Sequence, residues 1–172
     1  MNKILITLFL LLVSYTVQAQ EKFALGYSNF RSAETSKEYV VHHFEGQTAS
    51  QLQAATYSAL MSMYTSPKDA ISTIGTGIIS AEIYLSTVFY SDGNYPHDYL
   101  IIMTIEFKDG KVKYNAPSIK DIVMRNIPFL GTGNIDKTKL WSVSNEHKAQ
   151  VERAINGIIS AIDKKISEAD DW

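Results

Sequence analysis

The sequence predicts an α+β domain: an antiparallel sheet of about five strands with two helices packed on one face. Three observations carry that prediction. Residues 97–116, "HDYLIIMTIEFKDGKVKYNA", alternate apolar and polar side chains around an Asp109-Gly110 step, the composition of a tight hairpin turn. Leu52, Ala55, Ala59 and Met63 recur at helical spacing, and so do Val151, Ile155, Ile158, Ile162 and Ile166. Strands joined by short turns make antiparallel sheets, and two amphipathic helices can cover only one face of such a sheet.

The first strand begins at Tyr39, where Val40, Val41 and Phe44 supply the β-branched and aromatic content, and it ends at Gly46. Thr48 is the N-cap of a helix over 49–64, with Gln51 three residues on to complete a capping box. Ser66-Pro67 stops that helix, because the residue before a proline is pushed out of the helical region. Gly75 and Gly77 bracket a turn between a short strand at 70–74 and a long one at 78–90. The stretch 91–96, "SDGNYP", is loop chemistry.

In the following hairpin Asp109-Gly110 suits the positive φ angles of a type I′ turn. With Lys108 opposite Lys111, Phe107 faces Val112, Glu106 faces Lys113 and Ile105 faces Tyr114. A slip of one residue would break that match of apolar to apolar and acid to base. Tyr99, Ile101, Met103, Ile105 and Phe107 then face the helices, and Leu100, Ile102, Thr104 and Glu106 line the other face. Residues 118–124 are extended; 125–140, interrupted by Pro128, Gly131 and Gly133, are loop. Ser144 caps the last helix, Glu146 complements its dipole in the first turn, and Lys164 and Lys165 lie near its C-terminal end.

The N-terminal "MNKILITLFLLLVSYTVQA" has the zones of a secretory signal: Lys3, an apolar run from Ile4 to Val13, and Val17 and Ala19 before a cleavage point. A run of about ten residues is short of the ~20 that span a bilayer. The expected organisation is a signal peptide at 1–19, an extended leader at 20–36, one domain at 37–168 and a tail at 169–172. The expected location is the periplasm or beyond, with no membrane span after cleavage near Ala19-Gln20. Losing Lys3 takes the formal charge from −2 to −3. That net acidity speaks against phosphate backbones and anionic lipid as partners. With no cysteine, an exported chain of this kind stands on its apolar core unless it oligomerises.

The strand ending in "FEG", the "TASQLQAATYSALMSMY" helix, the "GTGIISAEI" strand and the "YLIIMTIEFKDGKVKYNAPSIKDI" hairpin resemble a family of bacterial exported domains of unknown function with a TATA-binding-protein-like fold. The resemblance covers residues 37–165. It implies a β-α-β4-α layout, export and no assigned activity, and it supplies no catalytic residues. His42-His43 departs from the family's ordinary alternation. Minor-groove binding by such a sheet needs basic residues around apolar wedges. The face opposite the helices offers Glu82 and Glu106 beside Lys113, so no nucleic-acid partner is expected.

Successive strand side chains point to opposite faces, so His42 and His43 cannot share one metal unless the strand breaks. His42 is expected inward, on the face of Val40 and Phe44, and His43 outward. No i, i+4 His pair or Cys/His spacing marks a zinc site. "GTGIIS" at 75–80 and "GTGN" at 131–134 complete no nucleotide-binding fingerprint and are read as turns. No catalytic residue, metal or cofactor is therefore assigned. The candidate binding surface is Tyr84, Tyr90, Leu100 and Ile102 on the uncovered face, where amphipathic aromatics suit a small ligand or an envelope protein partner. The expected function is non-enzymatic binding on that face. The alternative is a small hydrolase or metal-dependent enzyme using His97 with His42 or His43.

Overall fold

The computed structural model describes residues 20–27, 29–64, 70–75, 77–86, 97–127, 131–134 and 145–169; for 97, 123–127 and 131–134 it describes the backbone. The strands are β1 (Phe23–Leu25), β2 (Phe30–Ser32), β3 (Tyr39–His43), β4 (Ile71–Thr73), β5 (Ile78–Ser86), β6 (His97–Lys108), β7 (Lys111–Asn115), β8 (Ser118–Ile127) and β9 (Gly131–Asn134). The helices are α1 (Ala49–Met63) and α2 (Asn145–Glu168). The expected signal segment, Tyr90, the 91–96 loop and Ser144 lie outside the described residues.

The fold is α+β, as expected: an antiparallel sheet with helices on one face. Among the described residues the sheet has seven strands rather than about five, in the order β3-β7-β6-β5-β4, with β8 also on β6 and β9 on β8. The long β6 makes this possible. Its C-terminal part pairs with β7 and its N-terminal part with β8, so two successive strands share one neighbour. The hairpin register is the expected one, with Ile105 opposite Tyr114, Glu106 opposite Lys113, Phe107 opposite Val112 and Lys108 opposite Lys111.

The turn differs from expectation. Gly110 has φ +69°, and Asp109 is not among the residues with positive φ, so the signs are those of a type II turn rather than type I′. Tertiary contacts account for the change. Asp109 Oδ1 accepts from the Ala49 N–H at the start of α1 (2.8 Å), and the Gly110 N–H donates to Gln47 O (2.8 Å). The turn is shaped to cap a helix as well as to close a hairpin.

Two further corrections concern segments read as lacking structure. Residues 131–134 belong to a strand, inside the stretch 125–140 read as loop, and β8 runs on to Ile127. Residues 20–36 are not merely extended: β1 and β2 form an antiparallel pair whose Phe23 and Phe30 are buried at 1% and 0% exposure, edge to face. This pair docks on α2. The Phe23 N–H donates to Asn156 Oδ1 (3.0 Å), Asn156 Nδ2 returns a bond to Phe23 O (2.8 Å), and the Leu25 N–H donates to Glu152 Oε2 (3.0 Å). The core therefore begins well before residue 37.

α1 carries the expected capping box between Thr48 and Gln51 and ends at Met63, with Tyr64 extended. Its buried positions are Leu52, Thr56, Ala59 and Leu60, a stripe rotated slightly from the expected one, so Met63 is exposed. On α2, Val151, Ile155, Ile159, Ile162 and Ile166 are buried, and Ile158 packs at their margin. α1 packs on β5, β6 and β7, and α2 packs on α1 and β1 and reaches β3 and β7 through Asp163. Ile79, Ala81 and Ile83 of β5 and Tyr99, Ile101, Met103, Ile105 and Phe107 of β6 are all buried. Burying each of the isoleucine, methionine and phenylalanine side chains among them is worth about 1.5–3 kcal/mol. Leu100, Ile102, Thr104 and Glu106 alternate onto the opposite face and stay partly exposed. Among the described residues no helix is long and apolar enough to cross a membrane.

Candidate functional site

Period-two alternation sends His42 and His43 to opposite faces of β3, with His42 inward as the sequence implies. His42 is 3% exposed. Its Nδ1 lies 2.8 Å from Asp163 Oδ2 on α2, and its Nε2 lies 2.8 Å from the Glu21 carbonyl oxygen. The second carboxylate oxygen of Asp163 accepts from the Tyr114 hydroxyl at 2.7 Å. The Tyr114 ring stands edge-on to the imidazole, centroids 5.2 Å apart.

Both ring nitrogens meet acceptors, so the arrangement holds the doubly protonated imidazolium. Burial works against that charge, but the Asp163 carboxylate and the Glu21 carbonyl outweigh it, and the His42 pKa is raised. The Tyr114 hydroxyl is pushed well above its ordinary value by burial and by the Asp163 charge. His, Asp and Tyr thus converge, as in many catalytic centres, but beneath the sheet where no substrate reaches them. Their chemistry is structural: they tie residue 21, the inner face of β3 and α2 together.

Among the described residues no helix covers the other face. Along β3, β7 and β6 the register sets outward residues in cross-strand rows. One row reads His43, Lys111, Lys108; the next reads Val41, Lys113, Glu106 and continues to Ile78 on β5. Tyr39 lies beyond, opposite Asn115. Adjacent strands are about 4.8 Å apart, so the first row places three basic groups across roughly 10 Å. These residues, with Lys37, Thr35 and Glu21 along the rim, line a groove of about 850 Å³ on the helix-free side of the sheet.

Within the groove the acids are already engaged. Glu106 Oε1 accepts from Lys113 Nζ (3.0 Å) and Asn115 Nδ2 (2.7 Å), and these contacts hold its pKa low. The Glu21 carboxylate accepts from the Ser32 and Thr35 hydroxyls, and its pKa is lowered by those bonds against the opposing effect of burial. Lys37 and Lys113 stand 5.4 Å and 5.2 Å from the Tyr39 ring centroid, within the ~6 Å reach of a cation–π contact. Lys108 and Lys111 make no ion pair among the described residues.

Of the surface expected from sequence, Tyr84 and Leu100 lie directly opposite each other on the open face, and Ile102 follows opposite Glu82. Tyr90 lies outside the described residues. The Tyr84 hydroxyl is committed to Asp98 Oδ2 (2.6 Å) while the residue stays 62% exposed. This patch occupies the far end of β6 from the groove. His97 is described only as backbone, at the start of β6, so the pairing of His97 with His42 or His43 in the enzyme alternative lies outside the described side chains; His42 and His43 themselves point to opposite faces of β3. No group of three or more His, Asp or Glu able to hold a metal occurs among the described residues.

The groove residues Lys37, Tyr39, Lys108, Lys111 and Lys113 were not assigned to a binding surface from the sequence, and His43 was weighed there only as a metal or catalytic residue. The signal was present in the hairpin register itself, which sets Lys108 against Lys111. Like charges directly opposite are unfavourable, so such a pair invites a reason. Asp163 was also readable: it stands four residues after Ile159 and three before Ile166, an acid inside an apolar stripe.

Fold and site together define an α+β domain with one helix-covered face and one open, partly basic face. No family model matches the chain, and no curated protein does. Two solved structures resemble it. One is a TBP-like protein from Parabacteroides distasonis ATCC 8503, at 15% identity, covering 73% of this chain and 90% of that one, with a TM-score of 0.48. The other is a DUF4468 family protein from Bacteroides ovatus ATCC 8483, at 12% identity, covering 78% and 85%, with a TM-score of 0.44. These neighbours are of the kind the sequence pattern resembles, a bacterial domain-of-unknown-function family and a TBP-like fold. At such identities and scores the likeness lends this chain no ligand and no activity.

Proposed function

We propose that this chain is an exported, non-enzymatic domain that binds a ligand or partner on the open face of its sheet. The observation that carries the reading is the 850 Å³ groove on the helix-free side, lined by outward residues of β3, β5, β6 and β7. Its size lies within the roughly 300–1,000 Å³ of small-molecule sites. Residues 20–36 dock on α2 and reach only the rim of the groove, so the chain's own N-terminal hairpin leaves the face open. Export rests on the 1–19 segment, with Lys3, the apolar run from Ile4 to Val13, and Val17 and Ala19 before a cleavage point.

Two measurements test this. Intact mass of the protein produced in a bacterial host is expected to correspond to a chain beginning at Gln20, recovered outside the cytoplasm. A membrane-bound species retaining Met1 contradicts export. Backbone amide shifts of the labelled protein, titrated with a panel of glycans, peptides and small organic ions, are expected to move on the outward positions of β3, β5, β6 and β7. Movement confined to α1 and α2 overturns the open-face reading.

A further inference from the structure

We infer that the groove takes a small organic dianion, with its negative charge seated on the row His43, Lys111 and Lys108. This rests on the open-face binding reading and names the ligand chemistry. Four lysines line the groove, Lys37, Lys108, Lys111 and Lys113, against two carboxylates, Glu21 and Glu106. Glu106 is neutralised by Lys113 and hydrogen-bonded by Asn115, and Glu21 is held by two hydroxyls. The groove therefore carries two positive charges in excess, on a chain whose formal net charge is −2.

The placement of that excess matters more than its size. Lys108 and Lys111 are exposed and directly opposed across the hairpin, with His43 next in the row. Holding like charges opposite one another costs folding stability, and a bound dianion would turn that repulsion into attraction. Val41 and Ile78, both half-buried, offer an apolar wall for the ligand's body. Among the described residues the basic character ends with the groove. Farther along the open face, Glu82 is paired with Lys120 at 2.7 Å, and Asp98 receives Tyr84 and Ser86. A long polyanion needs a basic track that continues; a small dianion does not.

The test is an amide-shift titration of the full folded protein with glucose 6-phosphate and with succinate, the two commonest forms of dianion. Glucose serves as the neutral body and a single-stranded oligonucleotide as the polyanion. We expect saturable shifts at His43, Lys108 and Lys111 with at least one dianion and none with glucose, and weaker binding at higher salt. In Lys108→Gln/Lys111→Gln, affinity falls roughly tenfold or more, as expected for lost charged hydrogen bonds, while a melting temperature equal to or slightly above that of the wild type shows the fold intact. Glucose binding on the open face, with neither dianion binding there, sinks the dianion and leaves the binding face standing. Shifts on the helix side alone sink both. Binding of the oligonucleotide alone, or of none of the four probes, overturns the small-dianion inference.

Discussion

His42 and His43 share a strand and a peptide bond, yet one lies 3% exposed between an aspartate and a carbonyl, and the other faces solvent opposite a lysine. Beneath the sheet, every polar atom of the imidazole has an acceptor and the charge is compensated. Above it, His43, Lys111 and Lys108 bring basic groups together, and among the described residues no carboxylate pairs with either lysine. The first arrangement favours the folded chain and leaves nothing for a ligand to do. The second costs stability and leaves charge for a ligand to neutralise. Where polar groups are mutually satisfied, the role is structural; where a fold holds them unsatisfied and exposed, binding is the better reading.

The sharpest way to break this contrast is to remove the buried partner. His42→Ala leaves Asp163 buried without its counter-charge, and a loss of about 3–5 kcal/mol is expected, the usual cost of breaking a buried pair. Asp163→Ala should cost a similar amount. Urea denaturation measures both, and a loss below 1 kcal/mol for either would mean that the node is not holding the fold.

The same node predicts a pH dependence. The folded state holds the His42 proton more tightly than the unfolded chain, since its pKa is raised. Its contribution is complete below the unfolded value of about 6.5 and is lost as pH rises through the folded value. The melting temperature of the wild type should therefore fall on the alkaline side of that window. In His42→Gln this part of the fall should vanish, and an identical pH profile for the two proteins would contradict the ion pair.

Away from both regions, Gly110→Val should destabilise by about 1 kcal/mol or more, because φ +69° strains a β-branched residue. An added Cβ would meet Phe44 O only at 3.6 Å, an ordinary contact, so the cost is backbone strain and not a clash. An unchanged denaturation midpoint would place the turn in another conformation.

On the open side the effects shrink and change sign. Lys111→Gln removes a like-charge pair and should raise stability by about a few tenths of a kcal/mol. A clear loss in the denaturation curve would show that Lys111 supports the fold. His43→Ala should be neutral to within about 0.5 kcal/mol, and zinc should leave the wild-type melting temperature unchanged. A zinc-dependent rise abolished by His43→Ala would assign that histidine to a metal.

Much of this architecture could be read from the chain because the signals were local. Thr48 and Gln51 are three residues apart and cap one helix. Asp109-Gly110 and the residues flanking it match across a two-residue turn, so register follows from neighbours. The inward turn of His42 follows from period two. Net charge, by contrast, carries no local information. It averages over the whole surface and hid four lysines and a histidine gathered in one groove.

By itself, then, the sequence determined the α+β class, both helices, the hairpin register and the opposite faces of the two histidines, since each depends on residues a few positions apart. Only the tertiary structure decided the rest. β9 forms from "GTGN" because sheet pairing with β8 uses backbone groups that any residue supplies, which leaves little trace in propensity. Residues 20–36 become core because α2, more than a hundred positions away, offers Asn156 and Glu152 to their backbone. Asp109 takes a non-type-I′ turn because the N-terminus of α1 needs its carboxylate. The groove exists because β3 pairs with β7, setting His43 beside Lys111 across some seventy residues of chain. Contacts between residues so far apart leave no periodic mark, and geometry alone brings them together.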